Sequence, residues 1–153
     1  MTMRDMHAAK VGTQDITSDR RRGADLRVLL SPRTVGATKG MLGVVALRPG
    51  EFVSEHYHPY SEEFLYVVEG EVVVRLDDEP VPLAADESLL VPVDVRHRVE
   101  NNGGRPARVV FALSGLAPRP ELGHVDTEPQ PAADTEPWLA DAPDPGSAAG
   151  GGQ

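Results

Sequence analysis

One stretch constrains the fold of this chain more than any other: GEFVSEHYHPYSEEFLYVVEG, at residues 50–70. Its two histidines, His56 and His58, are one residue apart, so their imidazoles project from the same face of a β-strand. Glu63 follows after a turn, and residues 64–68 are rich in aromatic and β-branched side chains, which favour a strand. The pattern predicts two strands that bring imidazoles and a carboxylate to one metal ion.

A third histidine strengthens this prediction. A single histidine is more often a surface or core residue, and an isolated His-x-His pair is a weak metal motif. Further along, the stretch DESLLVPVDVRHRVEN places His97 after a turn that contains Pro92, at the start of another strand. Three imidazoles on strands are a more specific signal for a metal site than the pair alone.

Together the two stretches resemble the cupin family. The first cupin motif, G-x5-H-x-H-x4-E-x6-G, is met at each of its fixed positions: Gly50, His56, His58, Glu63 and Gly70. The resemblance implies an all-β fold, the cupin jelly-roll β-barrel or double-stranded β-helix. It also implies four protein ligands for the metal: His56, His58, Glu63 and His97.

The second cupin motif, G-x5-P-x-G-x2-H-x3-N, is met only in part. Pro92, His97 and Asn101 stand at their expected positions, whereas Asp86 and Asp94 replace the two glycines. Aspartate tolerates turns and the left-handed backbone region better than most residues. We therefore expect the replacements to alter the turns and to leave the set of ligands intact.

The chain contains no cysteine, and this limits its chemistry. Disulfides, thiolate zinc sites and thiol nucleophiles are excluded, so any metal is held by nitrogen and oxygen. Three imidazoles and a carboxylate leave one or two positions on an octahedral ion for water or substrate. One divalent metal per chain is expected, with Zn, Fe, Mn, Ni and Co all compatible with these ligands.

Residue parity predicts the walls of the site. Phe52 and Ser54 share the parity of His56 and His58, and Leu65 and Val67 share that of Glu63. These four residues are expected to line a mostly apolar pocket that suits a carbonyl-rich substrate. Glu62 has the opposite parity, which favours a solvated or outer carboxylate. It remains a candidate base beside a metal-bound water.

Short strand-like runs separated by turns cover residues 25–116 and predict a single barrel domain. Residues 1–24 form a polar arm whose basic cluster, residues 20–22, is either solvated or a docking patch for an acidic partner. Residues 117–153 hold half of the fourteen prolines and predict an extended, partly disordered tail. Its part up to about residue 130 is expected on the barrel or on a second subunit, with His124 at the surface and not a fifth ligand.

The net charge of −9 lies mostly in the tail, where seven acidic residues face one basic residue. Nucleic-acid binding, which needs clustered positive charge, is therefore not expected. No apolar run approaches the ~20 residues of a membrane span, and the N-terminus lacks the apolar region of a secretory signal. A cytoplasmic location is expected.

Four segments resemble a narrower group, the monocupin cyclases of bacterial aromatic polyketide pathways such as those of tetracenomycin, resistomycin and spore pigments. They read RRRGADLRVLLSPRTVGATKG, SEHYHPYSEEFLYVVEGE, VPVDVRHRVEN and LAPRPELGHVDTEP. The resemblance spans about residues 15–130. It implies that a poly-β-ketone chain, free or on a carrier protein, is folded into aromatic rings, with zinc as the metal and a homodimer as the assembly.

Two other classes of function remain open from the residues alone. An iron-dependent dioxygenase uses the same ligands, since the open positions on Fe(II) bind dioxygen. A non-catalytic cupin that binds a small molecule needs no turnover at all. If the chain is a homodimer, residues 26–30 or 122–125 are expected to cross to the partner, because an open jelly-roll edge is prone to association.

Overall fold

The computed structural model of the chain describes residues 8–132. Nearly all of the regular structure in these residues is β, with one short α-helix, α1 (Pro32–Val35), and two 3₁₀ turns, Thr13–Asp15 and Pro120–Leu122. The strands, in chain order, are β1 (Asp25–Leu30), β2 (Gly40–Leu47), β3 (Phe52–Tyr57), β4 (Glu62–Glu69), β5 (Glu71–Leu76), β6 (Glu79–Ala84), β7 (Ser88–Val91), β8 (His97–Glu100), β9 (Ala107–Ser114) and β10 (Val125–Asp126). The ends of the arm and of the tail, including Trp138, lie outside the described residues.

The strands form two five-stranded antiparallel sheets that enclose one core. The first sheet has the order β1-β2-β9-β4-β7, and the second has the order β10-β3-β8-β5-β6. Along β4 and β9, exposed and buried side chains alternate, as expected for strands with one face on a core. Val67, Val74 and Val109 are completely buried between the sheets. This is the all-β jelly roll that the sequence predicted.

The hairpin between β5 and β6 is tight, and Pro80 already pairs with Arg75 in the ladder. Only Asp77 and Asp78 form the loop, with φ angles of 46° and 75°. Two consecutive residues with positive φ match the right-handed twist of a hairpin, and aspartate is among the residues that accept this conformation.

The N-terminal arm is attached to the barrel. Ile16 is buried, and Asp19 forms a β-bridge with Leu26. Arg20 donates to Glu51 at 2.7 Å, and Arg21 lies 3.4 Å from Asp19. The side chains of the basic cluster thus have neighbours of opposite charge within the same chain.

The segment after β9 lies extended on the barrel of its own chain. Val125 and Asp126 pair with β3, and Glu128 accepts from the Glu55 amide at 2.7 Å. The Ala132 amide donates to a carbonyl of the N-terminal arm at 3.0 Å. Of the segments proposed as possible crossing points to a partner, residues 26–30 or 122–125, the first pairs with β2 as β1, and the end of the second pairs with β3 as β10.

In the described part of the chain, the longest α-helix has four residues, far too few to span a membrane.

Candidate metal centre

Four buried side chains converge between the two sheets. His56 lies on β3, His58 directly follows that strand, Glu63 lies on β4 and His97 begins β8. Each offers a nitrogen or oxygen atom, and these four atoms lie within 4.8 Å of one another. The structure thus brings together the four residues that the sequence grouped as ligands.

The three imidazoles are oriented by backbone carbonyls. Nδ1 of His56 donates to Ser54 O at 2.7 Å, Nδ1 of His97 donates to Val95 O at 3.0 Å, and Nδ1 of His58 donates to Gly123 O at 2.9 Å. With the proton on Nδ1, each Nε2 carries a free lone pair. This is the arrangement in which protein imidazoles bind metals, with the second nitrogen fixing the tautomer.

Glu63 and His97 show why a cation fits between these groups. Oε2 of Glu63 lies 2.6 Å from Nε2 of His97 and 3.6 Å from Nε2 of His58. With the Nδ1 tautomers, the Glu63 oxygen and the His97 nitrogen are both buried acceptors, and neither has a hydrogen-bond donor within residues 8–132. Two converging buried acceptors are costly unless a proton or a cation lies between them.

The charge states of these side chains also favour a cation between them. Burial alone raises the pKa of Glu63, but His97 and His58 more than offset this effect and hold its pKa well below the ordinary value. Burial, helped by His97, lowers the pKa of His56 well below its ordinary value, so this imidazole is neutral at neutral pH. Burial also lowers the pKa of His97, but Glu63 outweighs it and the net shift is upward. The cluster is an anionic carboxylate among imidazoles.

The two departures from the second motif fall where the backbone is left-handed. Asp86 has a φ of 70° and Asp94 a φ of 68°. Asp94 also ties its loop to the site, since its amide donates to His58 O at 3.1 Å. The buried Asn101 donates to Leu47 O at 2.9 Å and so holds the end of β2, just before the His-containing segment. Aspartate therefore substitutes for glycine without displacing the candidate ligands, as predicted.

A cavity of about 470 Å³ opens over the four side chains. Its walls are mostly apolar and come from both sheets: Leu26, Val28, Val45, Val53, Leu65, Val99, Val109, Phe111 and Leu113. Leu65 lines the cavity as predicted. Val67, two residues further along β4, is packed in the core instead. The candidate metal centre thus lies in a mostly apolar chamber.

The parity prediction fails on β3. The pairing of β3 with β8 shifts register between Val53 and His56, which is a β-bulge. The bulge changes which residues share a face, so Val53 lines the cavity with His56. Phe52 instead lies against the Arg98 guanidinium, whose Cζ atom is 3.9 Å from the centre of the Phe52 ring. Ser54 is fully buried outside the cavity wall and contributes only its carbonyl to His56.

Two residues differ in role from their predictions. Glu62 is exposed on the face of β4 opposite Glu63, so it points away from the site and is no longer a candidate base. His124 is not at the surface: its ring stacks on His56 with a centroid distance of 4.3 Å and an interplanar angle of 19°. Burial and the nearby Arg22 lower the pKa of His124 to about 2. The sequence carried no signal for this, because the pairing that places His124 here involves only two residues of β10.

Comparisons with known proteins agree with this geometry. Residues 43–113 match the family model described as the cupin domain. Polyketide synthase CurC of Streptomyces cyaneus is 58% identical over 123 residues, which cover 80% of each chain. Tetracenomycin polyketide synthase protein TcmJ of Streptomyces glaucescens is 56% identical over 124 residues, which cover 81% of this chain and 83% of TcmJ.

A solved structure extends the likeness to the fold. The polyketide cyclase RemF from Streptomyces resistomycificus superposes with a TM-score of 0.64 at 20% identity, covering 84% of this chain and 90% of RemF. At this identity the likeness concerns the fold alone. The sequence relatives carry the narrower assignment, and the chain belongs to the cupin family, among the cupin proteins associated with bacterial polyketide synthases.

Proposed function

We propose that the protein is a metal-dependent polyketide cyclase, which directs regioselective aldol cyclisation and aromatisation of a poly-β-ketone in the biosynthesis of an aromatic antibiotic or pigment. One observation carries the proposal: three buried imidazoles with inward Nε2 atoms and an ionised carboxylate converge at an apolar cavity. The names of the relatives with 56–58% identity point to the same pathways.

The proposed cofactor is one zinc ion per chain, held by His56, His58, Glu63 and His97. This set of nitrogen and oxygen donors suits zinc and is compatible with other divalent transition metals. When bound, such an ion polarises a ketone oxygen and lowers the pKa of a coordinated water. The residues fit this role because the carbonyl partners at Nδ1 leave each Nε2 free to bind a metal.

The protein's own contribution is orientation. Aldol closure forms one carbon–carbon bond between an enolised methylene and a ketone carbon, and loss of water then aromatises the ring without any oxidant. The apolar walls exclude bulk water and restrict the conformations of a flexible chain. Holding the two reacting carbons together contributes several kcal/mol to such a reaction. The substrate is proposed to arrive free or on a carrier protein.

We further propose a homodimer formed by the outer face of the first sheet. Six of the seven exposed large apolar side chains of residues 8–132 lie on β4, on β7 or in the adjoining loops: Tyr60, Phe64, Tyr66, Val68, Leu90 and Val93. Phe64 and Leu90 are cross-strand partners, so the patch is continuous. We call these six residues the outer apolar patch.

A second copy of the chain suits this patch for two reasons. Exposed side chains of this size supply on the order of 500 Å², a large part of the roughly 800 Å² per partner that a stable interface buries. In addition, β7 is an edge strand of the first sheet and carries no proline, whereas Pro80 and Pro82 interrupt the donors of β6, the edge of the second sheet.

The product profile of a reconstituted pathway tests the proposed function. The protein is added to a synthase that makes an unbranched poly-β-ketone, under nitrogen, after the metal has been stripped and zinc restored. We expect the mixture of spontaneous cyclisation products to be replaced by a single ring pattern. The metal-stripped protein should leave the mixture unchanged. Conversion only with iron and oxygen would indicate a dioxygenase, and tight binding without any change in the mixture would indicate a non-catalytic cupin.

A further inference from the structure

Three consecutive arginines of the N-terminal arm have different surroundings. Arg20 pairs with Glu51 at the barrel surface, and Arg21 lies beside Asp19. Arg22 is the one of the three whose side chain lines the cavity above the candidate metal centre, and only 17% of that side chain is exposed. The arm therefore delivers a single guanidinium to the site.

The guanidinium of Arg22 has N–H donors that make no hydrogen bond within residues 8–132. Its Nε lies 3.1 Å from Nε2 of His124, and its Nη1 lies 3.6 Å from Asp19 Oδ2, which is too long for a hydrogen bond. Within residues 8–132, neither Nη atom makes a hydrogen bond. An arginine carries five N–H donors, four of them on the Nη atoms, so the Nη donors of Arg22 are available to a ligand in the cavity.

His124 does not satisfy this cation fully either. Its Nε2 also lies 2.7 Å from Asp126 Oδ1. In one tautomer Nε2 accepts from Arg22, and in the other it donates to Asp126, so it cannot serve both partners at once. Burial lowers the pKa of Arg22, in spite of the opposing effect of Asp19 and Asp126. The nearby carboxylates thus do not compensate for the loss of water around the guanidinium.

His124 also fixes where Arg22 stands relative to the metal centre. Arg22 contacts one edge of the His124 ring, and the same ring is stacked on His56. The guanidinium is therefore one imidazole away from a candidate ligand, on the wall of the same cavity. An extended substrate with oxygens at regular intervals can reach both points.

We propose that Arg22 binds a second ketone or enolate oxygen of the substrate while another oxygen faces the metal centre, so that the site selects chains with three or more alternating ketones over a simple 1,3-diketone. This inference rests on the proposed cyclase function and deepens it. The planar guanidinium fork suits two neighbouring oxygens, and hydrogen bonds from a cation are stronger than those from a neutral donor.

Two probes separate the contribution of Arg22 from that of the metal. Benzoylacetone carries one 1,3-diketone and reaches the metal centre alone, whereas 1-phenylhexane-1,3,5-trione adds a third oxygen. Binding to the zinc-loaded protein is measured by titration calorimetry and by the ultraviolet absorption of the enolised probe. We expect the triketone to bind about 10-fold more tightly, because one charge-assisted hydrogen bond is added. We expect Arg22→Ala to reduce this preference to less than about 2-fold with little change for benzoylacetone.

Arg20→Ala is the matched control, since it removes an arginine of the same cluster that does not enter the cavity. It should retain the triketone preference. Arg22→Lys keeps the charge on a slightly shorter side chain but loses the planar fork, so we expect an intermediate preference. This variant serves if Arg22→Ala unfolds. Melting temperature and zinc content are recorded for every variant, because a merely structural role of Arg22 would weaken both probes equally.

The outcomes distinguish this inference from the proposed function. If the zinc-loaded wild type does not bind benzoylacetone, the proposed function fails. If benzoylacetone binds but the triketone binds no better, or if Arg22→Ala preserves the preference, the role of Arg22 is refuted and the cyclase proposal stands.

Discussion

Gly43→Ala tests how the cavity is shaped. Gly43 on β2 pairs with Phe111 on β9, and the Phe111 ring lies over the glycine. A Cβ atom added at position 43 would stand 2.6 Å from Cε1 of Phe111 and 2.7 Å from the Arg27 carbonyl oxygen, whereas real Cβ contacts are longer than 3.0 Å. Either the ring or the backbone of β1 must move to accept the methyl group.

The expected cost follows from this overlap. Forcing a methyl group into a packed core costs about 1–3 kcal/mol. A domain of this size loses about 2–4 °C in melting temperature per kcal/mol, so we expect a fall of about 2–12 °C. Because Phe111 also lines the cavity, a displaced ring reduces the space available to a ligand.

Scanning calorimetry of Gly43→Ala, Phe111→Leu and the double variant measures the effect. Leucine is shorter than phenylalanine and leaves room for the added methyl group. We therefore expect the double variant to be more stable than the sum of the single effects predicts, by at least about 0.5 kcal/mol. An unchanged melting temperature for Gly43→Ala, or strictly additive effects, would refute the packing account.

Two further predictions concern the C-terminal segment and the outer apolar patch. Truncation after residue 120 removes the carbonyl that holds Nδ1 of His58, so zinc affinity measured by competition should fall about 10- to 100-fold. Truncation after residue 135 is the control, and an equal loss in both would contradict the role of this carbonyl. Phe64→Glu should give a monomer by light scattering at micromolar concentration, because it buries a charge in the proposed interface. Leu122→Glu is the control, because Leu122 is an exposed apolar residue outside the patch, and this variant should remain dimeric. A dimeric Phe64→Glu variant would place the interface elsewhere.

The candidate ligands could be predicted because their spacing resembles the cupin motifs, and for one pair the information is also local. His56 and His58 are close in sequence, and alternation on a strand is enough to place both on one face. Asp86 and Asp94 could likewise be assigned to turns from their side-chain chemistry.

The features that the sequence did not predict depend on contacts between residues that are far apart in the chain. The β-bulge between Val53 and His56 is set by the pairing with β8, so no periodicity within β3 reveals that Phe52 turns away from the cavity. Arg22 and His124 lie 102 positions apart and meet only because the arm and the C-terminal segment pack side by side. Such contacts depend on tertiary packing, which a single sequence does not display.

The metal content of the protein tests the central claim most directly. Wild type, His58→Ala and Glu62→Ala are exposed to excess zinc, unbound metal is removed, and the bound metal is measured by elemental analysis. The two variants compare a candidate ligand with an exposed residue on the opposite face of β4. We predict one zinc per chain in wild type and in Glu62→Ala, and loss of most of the metal in His58→Ala. Full occupancy in His58→Ala, or no metal in wild type, would contradict the account.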